Sequence, residues 1–218
     1  IWDFSLRRLH GPEASLGVAR ASYIAGAAGT ATVAAGREYG IPTSGTMAHH
    51  YVQSFGPDNE QEAFERFLSD YPAKNTLLVD TYDTLRGVKR AVQASQKTGV
   101  ALGGIRLDSG DMVELAIGAR EILNYAGMPD TKIFASNDLD EYSIKDMLDR
   151  GAPIDAFGVG TMLGTSADAP NLGGVYKLVS QSVSDATEFV RPMLVMKSAM
   201  NKQTDPGEHQ VWRKGSRY

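Results

Sequence analysis

The sequence contains no cysteine among its 218 residues. This absence excludes disulfide scaffolds, zinc sites built from thiolates and cysteine nucleophiles. It says little about the cellular compartment beyond being compatible with the cytosol. Histidine is also scarce, with four in the whole chain. Two histidines that stand side by side therefore invite a functional interpretation.

Long apolar runs and a surplus of positive charge are missing as well. No uninterrupted apolar run approaches the roughly 20 residues that a membrane-spanning helix needs, and no basic-then-apolar signal peptide opens the chain. The formal net charge of −4 provides no general attraction for nucleic acid or for an anionic membrane. We therefore expect a soluble, cytoplasmic protein whose partner is neither nucleic acid nor a membrane.

The composition that remains is that of a folded domain. With 42% hydrophobic and 22% charged residues in 218, the chain can bury a substantial core and has the size of a single α/β barrel or a large open-sheet domain. It begins with Ile1 and ends in a segment, "EHQVWRKGSRY", that resembles a strand continuing into a turn. We expect it to be part of a longer chain.

From Thr76 onward, short apolar runs alternate with amphipathic segments, a pattern typical of parallel strands joined by helices. The predicted strands end at Asp80, Asp108, Asn137 and Gly160, which are 28, 29 and 23 residues apart. Each interval has the length of one strand, one helix and two loops. Every unit thus places polar residues or glycines at the carboxyl end of its strand, where α/β barrels carry their catalytic groups.

The strand ends have two interpretations. Aspartate and serine in "LDSGD" and "SND" could simply cap the helices that follow, or they could belong to one site. Arg106 favours a site, because it lies inside an apolar strand and would need a buried anionic partner. The "GVGT" segment, Gly158–Thr161, has the backbone freedom to turn consecutive N–H groups toward a phosphate.

The adjacent histidines, His49 and His50, lie in "SGTMAHHYVQSF", which we interpret as a strand end that passes through a tight loop into a helix. They could be catalytic, or they could only cap or pack. Nearer the amino terminus, Phe4 and Arg7 are spaced i, i+3 and could hold a flat anionic ligand between a ring and a guanidinium. The alternative is a core phenylalanine and a surface arginine.

Six segments together resemble the nicotinate phosphoribosyltransferase family: "DFSLRR", "GTMAHHYVQSF", "LLVDTYDT", "GIRLDSGD", "FASNDLDE" and "FGVGTMLGTSADAPNLGGVYKLV". The resemblance runs from about residue 2 to the end. It implies an irregular α/β barrel of the type II phosphoribosyltransferase kind, with a smaller domain, containing the N-terminal region, only partly present. Residues 1–218 would then be mostly one catalytic barrel domain, with about 1–35 as a helical lead-in that contributes to the base site.

The resemblance also implies the reaction and its partners. Nicotinate and phosphoribosyl pyrophosphate would give nicotinate mononucleotide and pyrophosphate in NAD biosynthesis, coupled to ATP hydrolysis through a phosphohistidine. Mg²⁺ is expected with the two polyphosphate substrates, although no residue is assigned as a metal ligand. A homodimer whose active site is completed by the partner subunit is expected as well.

Carried over residue by residue, the family's motifs assign catalytic roles to His49, Asp80, Arg106 and Asp108. Substrate contacts fall on Phe4, Arg7, Ala31, Ser136, Asn137, Gly158, Gly160 and Thr161. The phosphorylated histidine follows "GT-x-A" and is therefore His49, with Asp80 holding its tautomer. His50 stands where the resemblance leads us to expect serine, and we interpret it as incidental.

The other roles follow the same motifs. Asp108 would hold the ribose hydroxyls and Arg106 would contact pyrophosphate or the base. Ser136 and Asn137 would make a further ribose contact, and the three residues of "GVGT" named above would cradle the 5′-phosphate. Phe4 and Arg7 would hold the pyridine ring and its carboxylate.

Three alternatives remain. Nicotinamide phosphoribosyltransferase shares these motifs but has aspartate after the "GT" of its amino-terminal region, where this chain has Ala31, so nicotinate is favoured. A non-catalytic protein that binds a phosphorylated ligand is opposed by the presence of His49, Asp80, Arg106 and Asp108. An unrelated barrel aldolase or isomerase would need a strand-end lysine or glutamate base, and none is found.

Overall fold

The computed structural model describes residues 1–73, 75–166, 168–169, 174–181, 193–196, 204–207 and 209–210. Its main sheet consists of parallel strands: β1 (Trp2–Asp3), β2 (Thr76–Leu78), β3 (Gly104–Leu107), β4 (Lys132–Ser136) and β5 (Ala156–Val159). A separate antiparallel pair is formed by β6 (Ser180–Gln181) and β7 (Met193–Leu194).

The order of strands in the main sheet is β1-β5-β4-β3-β2. Beyond β1 the arrangement continues through two single parallel bridges, from Asp3 to Thr30 and from Thr30 to Thr43. Parallel segments therefore stand side by side across the described part of the sheet, and the strands are short. The predicted irregular α/β fold is confirmed in this respect.

Helices alternate with the strands from β2 to β5, whereas four helices lie between β1 and β2. The described helices are α1 (Pro12–Ile24), α2 (Val33–Tyr39), α3 (His49–Gln53), α4 (Glu60–Asp70), α5 (Thr84–Thr98), α6 (Met112–Tyr125), α7 (Glu141–Asp149) and α8 (Thr161–Gly164), with 3-10 turns at Leu6–Arg8 and Pro57–Asn59. Helices α5, α6 and α7 each follow one of the predicted strand ends, at Asp80, Asp108 and Asn137, as the alternation of strands and helices predicts. The lead-in at about 1–35 supplies strand β1 as well as helices α1 and the start of α2.

The two faces of the sheet differ in chemistry because successive side chains of a strand point to opposite faces. One face is apolar and completely buried in the core that it shares with the helices; its residues include Leu77, Ile105, Leu107, Ile133 and Ala135. On the other face, the register aligns Leu78 with Arg106 and Arg106 with Phe134. That second face is mixed, with the polar side chain of Arg106 between Leu78 and Phe134.

Helix α5 lies directly against the end of β2. A Cβ atom at Gly87 would stand 2.0 Å from the carbonyl oxygen of Val79, so only glycine permits this approach. Helix α5 ends at Gly99, whose φ of 70° is the left-handed conformation that glycine adopts without strain. The close packing fixes the position of the residue that follows Val79, which is Asp80.

Two further points concern the limits of the described chain. Among the described helices, none has both the length and the apolar content required to cross a membrane. The strand expected in "EHQVWRKGSRY" lies outside the described residues except for His209 and Gln210.

Candidate active site

A cavity of about 380 Å³ opens at the carboxyl ends of the parallel strands. Eleven of the twelve residues that the sequence predicted for the site line it, namely Phe4, Arg7, Ala31, His49, Arg106, Asp108, Ser136, Asn137, Gly158, Gly160 and Thr161. The twelfth, Asp80, lies beside the cavity and contacts His49. Segments that are far apart in sequence thus meet at one edge of the sheet, as expected for parallel strands.

His49 is the first residue of α3, and its ring is held by a buried carboxylate. The Nε2 atom of His49 lies 2.9 Å from Oδ1 of Asp80, whose side chain has no exposed surface. The other oxygen of Asp80 accepts a hydrogen bond from the hydroxyl of Ser109. A carboxylate beside Nε2 favours the neutral tautomer of His49 in which Nε2 carries the proton. His50 is exposed and does not line the cavity.

The guanidinium of Arg106 is held at all three nitrogens. Its Nε donates to Ser136 Oγ at 2.8 Å, Nη1 to Thr46 Oγ1 at 2.8 Å, and Nη2 to Asp108 Oδ1 at 2.9 Å. Ser136 Oγ also lies 2.6 Å from Asp108 Oδ1. The anionic partner expected for Arg106 is therefore Asp108, and the network fixes a cation on the cavity wall.

Phe4 closes another side of the cavity. Its ring stacks on Phe134 with centroids 5.6 Å apart, and the guanidinium carbon of Arg106 lies 5.6 Å from the Phe4 centroid. A Cβ atom at Gly158 would stand 2.7 Å from Phe4 and 2.8 Å from Phe134. Glycine at position 158 is thus required for the two rings to stack, in addition to lining the cavity.

Positive charge exceeds negative charge around the cavity, where Arg7, Arg8 and Arg106 face Asp108 and Asp138. Partial burial lowers the pKa of Arg7, and the charge of Arg8 lowers it further. Arg106 acts in the same direction, whereas Asp108 and Asp138 raise this pKa. Because arginine stays protonated at any accessible pH, Arg7 keeps its charge, and the three arginines on the cavity lining favour an anionic ligand.

The loop after β4 has an uncommon backbone conformation. Asn137 has φ of 102° and Asp138 has φ of 45°, and both line the cavity. Positive φ at consecutive residues other than glycine costs free energy and persists only where the surrounding structure imposes it. The loop thus presents two polar residues to the cavity at a cost in backbone strain.

Capping, the alternative interpretation of the aspartates in "LDSGD" and "SND", holds for one of them, Asp111. Asp83, Asp111 and Asp140 are the N-caps of α5, α6 and α7, and each side chain accepts a backbone N–H of its helix. Asp80 and Asp108 do not cap these helices and contact His49 and Arg106 instead. The capping hypothesis is therefore wrong for Asp108, and the aspartate that caps α6 is the second one in "LDSGD".

A metal ion was expected with the substrates. His49, Asp80 and Asp108 each bring one potential ligand atom within 4.8 Å of the others. Mg²⁺ prefers oxygen ligands, but both oxygens of Asp80 are engaged, by His49 and Ser109, and Oδ1 of Asp108 accepts from Arg106. With an imidazole nitrogen as one ligand and oxygens that already accept hydrogen bonds, this group is a poor match for the hard, oxygen-preferring Mg²⁺.

Several residues of the site were not assigned from the sequence, among them Arg8, Thr46, Ser109, Phe134 and Asp138. Thr46 and Ser109 lie within the motifs "GTMAHHYVQSF" and "GIRLDSGD", but no spacing rule connects them to Arg106 or Asp80. Phe134 could have been found, because it lies two residues before Ser136 on the same strand and so shares its face. Nothing in the sequence indicated the conformation that brings Asp138 to the cavity.

Comparison with known proteins identifies relatives over nearly the whole chain. Residues 1–184 match the model of the Nicotinate phosphoribosyltransferase (NAPRTase) family. Nicotinate phosphoribosyltransferase pncB2 of Mycobacterium tuberculosis is 48% identical over 214 residues, which cover 97% of this chain and 44% of the relative. Nicotinate phosphoribosyltransferase of Bacillus subtilis is 41% identical over 214 residues, with 97% and 42% covered. The chain spans less than half the length of these curated relatives.

Solved structures support the fold. Nicotinate phosphoribosyltransferase from Porphyromonas gingivalis superimposes with a TM-score of 0.76 at 23% identity, over 94% of this chain and 55% of that one. Nicotinate-nucleotide pyrophosphorylase from Pyrococcus furiosus superimposes with a TM-score of 0.63 at 29% identity, over 75% of this chain and 42% of that one. The α/β architecture described above is shared with both.

Proposed function

Because the chain belongs to the nicotinate phosphoribosyltransferase family, we propose that it transfers the phosphoribosyl group of phosphoribosyl pyrophosphate to nicotinate. The products are nicotinate mononucleotide and pyrophosphate, and the protein acts in NAD biosynthesis. One observation carries the proposal: a histidine held by a buried carboxylate and a fully bonded arginine–aspartate pair face the same cavity. A phosphoryl acceptor and a substrate-binding cation are thereby available in one place.

Nicotinate is a planar anion, and the mouth of the cavity suits it. Phe4 offers a ring face, and the exposed Arg7 offers a charge for a charge-assisted pair with the carboxylate. Ala31 lines the same cavity with a methyl group and brings no charge to repel that carboxylate. Nicotinamide, the alternative base, finds no carboxylate acceptor at position 31, so it is the less favoured substrate.

The phosphoribosyl donor would lie deeper, along the strand ends. Transfer to the ring nitrogen breaks the bond between ribose C1 and pyrophosphate and passes through an oxocarbenium-like state. Asp108, together with Ser136 and Asn137, is proposed to hold the ribose hydroxyls near this developing positive charge. Gly158, Gly160 and Thr161 are proposed to surround the 5′-phosphate, where small residues let backbone N–H groups approach.

ATP coupling is proposed to proceed through His49. With its proton at Nε2 and shared with Asp80 Oδ1, 2.9 Å away, the ring presents Nδ1 as the attacking atom. The Nδ1 lone pair forms a bond to the γ-phosphorus while the bond to the ADP oxygen breaks, and ADP leaves. Asp80 stabilises the positive charge that develops on the ring. Water later hydrolyses the phosphohistidine and releases phosphate.

Three further proposals concern the metal ion, the oligomeric state and the cellular compartment. Mg²⁺ would enter as a complex with ATP and phosphoribosyl pyrophosphate, since the side chains of the site do not form a cage for it. A homodimer with a shared site is proposed from the family membership alone. The phosphorylated substrates do not cross membranes unaided, so we place the reaction in the cytoplasm.

The direct test is the rate of ATP hydrolysis by the full-length protein with and without the other two substrates. We expect hydrolysis to accelerate when nicotinate and phosphoribosyl pyrophosphate are both present, with nicotinate mononucleotide formed at the same time. Nicotinamide in place of nicotinate should give little acceleration. A protein that binds phosphoribosyl pyrophosphate but neither hydrolyses ATP nor forms nucleotide would instead support the non-catalytic alternative.

A further inference from the structure

Thr46 connects the loop that carries His49 to the guanidinium of Arg106. It stands three residues before His49, lines the cavity, and its Oγ1 accepts a hydrogen bond from Arg106 Nη1 at 2.8 Å. The next residue, Met47, is 5% exposed and belongs to the hydrophobic core. The loop is therefore fixed on one side by the core and on the other by Arg106.

Arg106 in turn reaches the groups proposed to bind the phosphoribosyl donor and the base. Its Nη2 donates to Asp108 Oδ1 at 2.9 Å, and its Nε donates to Ser136 Oγ at 2.8 Å. Its guanidinium carbon lies 5.6 Å from the ring centroid of Phe4. A planar guanidinium held at every nitrogen cannot move at one of them without disturbing the others, so a displacement of Thr46 reaches Asp108 and Ser136.

We propose that Thr46 is a positioning residue that couples the phosphorylation of His49 to phosphoribosyl transfer. The proposal rests on the proposed function, in which both reactions use this cavity. A phosphoryl group on His49 adds close to two negative charges to the loop. Because Thr46 ties that loop to Arg106, the position of the guanidinium depends on the state of His49. By reciprocity of coupling, substrates bound at Arg106 also alter the phosphorylation equilibrium.

The measurement is the number of ATP molecules hydrolysed per nucleotide formed. Thr46→Val keeps the shape of the side chain and removes the acceptor. We expect this ratio to rise about tenfold in the variant, the size expected when a hydrogen bond to a charged group is lost. Thr46→Ser keeps the hydroxyl and should return the ratio toward that of the unchanged protein. A merely structural role would lower both rates together and leave the ratio unaltered.

A matched control is Thr98→Val, which removes a hydroxyl that donates to the Ala94 carbonyl within α5, away from the cavity. It should not change the ratio. Thr46→Ala provides a second deletion in case the valine variant does not fold, and it should raise the ratio in the same direction. An unchanged ratio in a folded Thr46 deletion, with nucleotide still formed by the unchanged protein, overturns the inference. Absence of nucleotide formation in the unchanged protein overturns the proposed function instead.

Discussion

Asp80 and Asp83 both lie between strand β2 and helix α5, three residues apart, yet one belongs to the cavity and the other to the start of the helix. Asp80 is completely buried beside the cavity and contacts His49, whereas Asp83 is exposed and caps α5. The next loop repeats the arrangement: Asp108 bonds to Arg106, and Asp111 caps α6. One carboxylate of each pair is placed to act on a ligand and the other to stabilise the fold.

The difference arises from where each residue stands in the backbone. The first aspartate continues the alternation of its strand, so its side chain stays on the cavity face. The second lies at the start of the helix, where the first backbone N–H groups lack intrahelical partners and accept a carboxylate as a cap. Position relative to the strand end and the helix start, and not residue type, separates the two functions.

The sharpest test of this comparison exchanges carboxylate for amide at both positions of one loop. Asp80→Asn should slow phosphorylation of His49 by about 100-fold or more, because an amide no longer holds the imidazole tautomer or its developing charge. Asp83→Asn should leave phosphorylation and stability nearly unchanged, since asparagine is also a good cap. Rapid-quench phosphorylation assays and thermal unfolding distinguish the two. Equal effects from both variants would contradict the proposal that Asp80 acts on His49 while Asp83 only caps α5.

A second test adds a carboxylate to the cavity instead of removing one. Ala31→Asp should lower the ratio of kcat/KM for nicotinate over nicotinamide by about 10- to 100-fold, chiefly through loss of nicotinate, because like charges in a site cost up to several kcal/mol. The corresponding Ala31→Asn variant controls for side-chain volume and should lower the ratio less. If neither variant altered the ratio, Ala31 would not face the base.

The smallest effect is expected for a change at Asp111, the N-cap of α6. Asp111→Ala should reduce the free energy of unfolding by about 1 kcal/mol at neutral pH, a value typical of a lost N-cap, without a change in kcat. A hydrogen bond from the backbone N–H of Glu114 lowers the pKa of the Asp111 carboxyl, and a hydrogen bond from the N–H of Val113 lowers it further. Partial burial raises this pKa. Asp111 is about half exposed, so solvent screens this contribution.

The pH dependence of that cap has a defined sign. A folded-state pKa below that of the unfolded chain means that the stabilisation is present above the unfolded pKa of about 3.9. It is lost as the pH falls through the folded pKa. The difference in unfolding free energy between the unchanged protein and Asp111→Ala should therefore shrink below about pH 4. A difference that grew on acidification would mean that the carboxylate is not the cap.

Much of this arrangement could be predicted from the sequence because it depends on the alternation of side chains along a strand and on the repeated length of one strand and one helix. Arg106 stands between Ile105 and Leu107, and the alternation of a strand is enough to place it on the opposite face of the sheet. The spacing of the strand ends at Asp80 and Asp108 likewise follows from the repeated strand and helix. These features require no knowledge of the loops.

Other features depend on contacts that no local period encodes. Thr46 and Arg106 are 60 residues apart in sequence, and their hydrogen bond depends on how the His49 loop packs through Met47. Strand β1 has two residues, too few for an alternation to be visible. Asn137 and Asp138 are of residue types that adopt positive φ more readily than most, yet no local pattern places that conformation at these two consecutive positions.

The central claim is that His49, held by Asp80, accepts the γ-phosphate of ATP. The most direct measurement is the transfer of label from ATP with a labelled γ-phosphate to the full-length protein, followed by localisation of the label. The account predicts a base-stable, acid-labile label on the unchanged protein and on His50→Ala, and no label on His49→Ala. Label that persisted in His49→Ala, or that disappeared in His50→Ala alone, would contradict it.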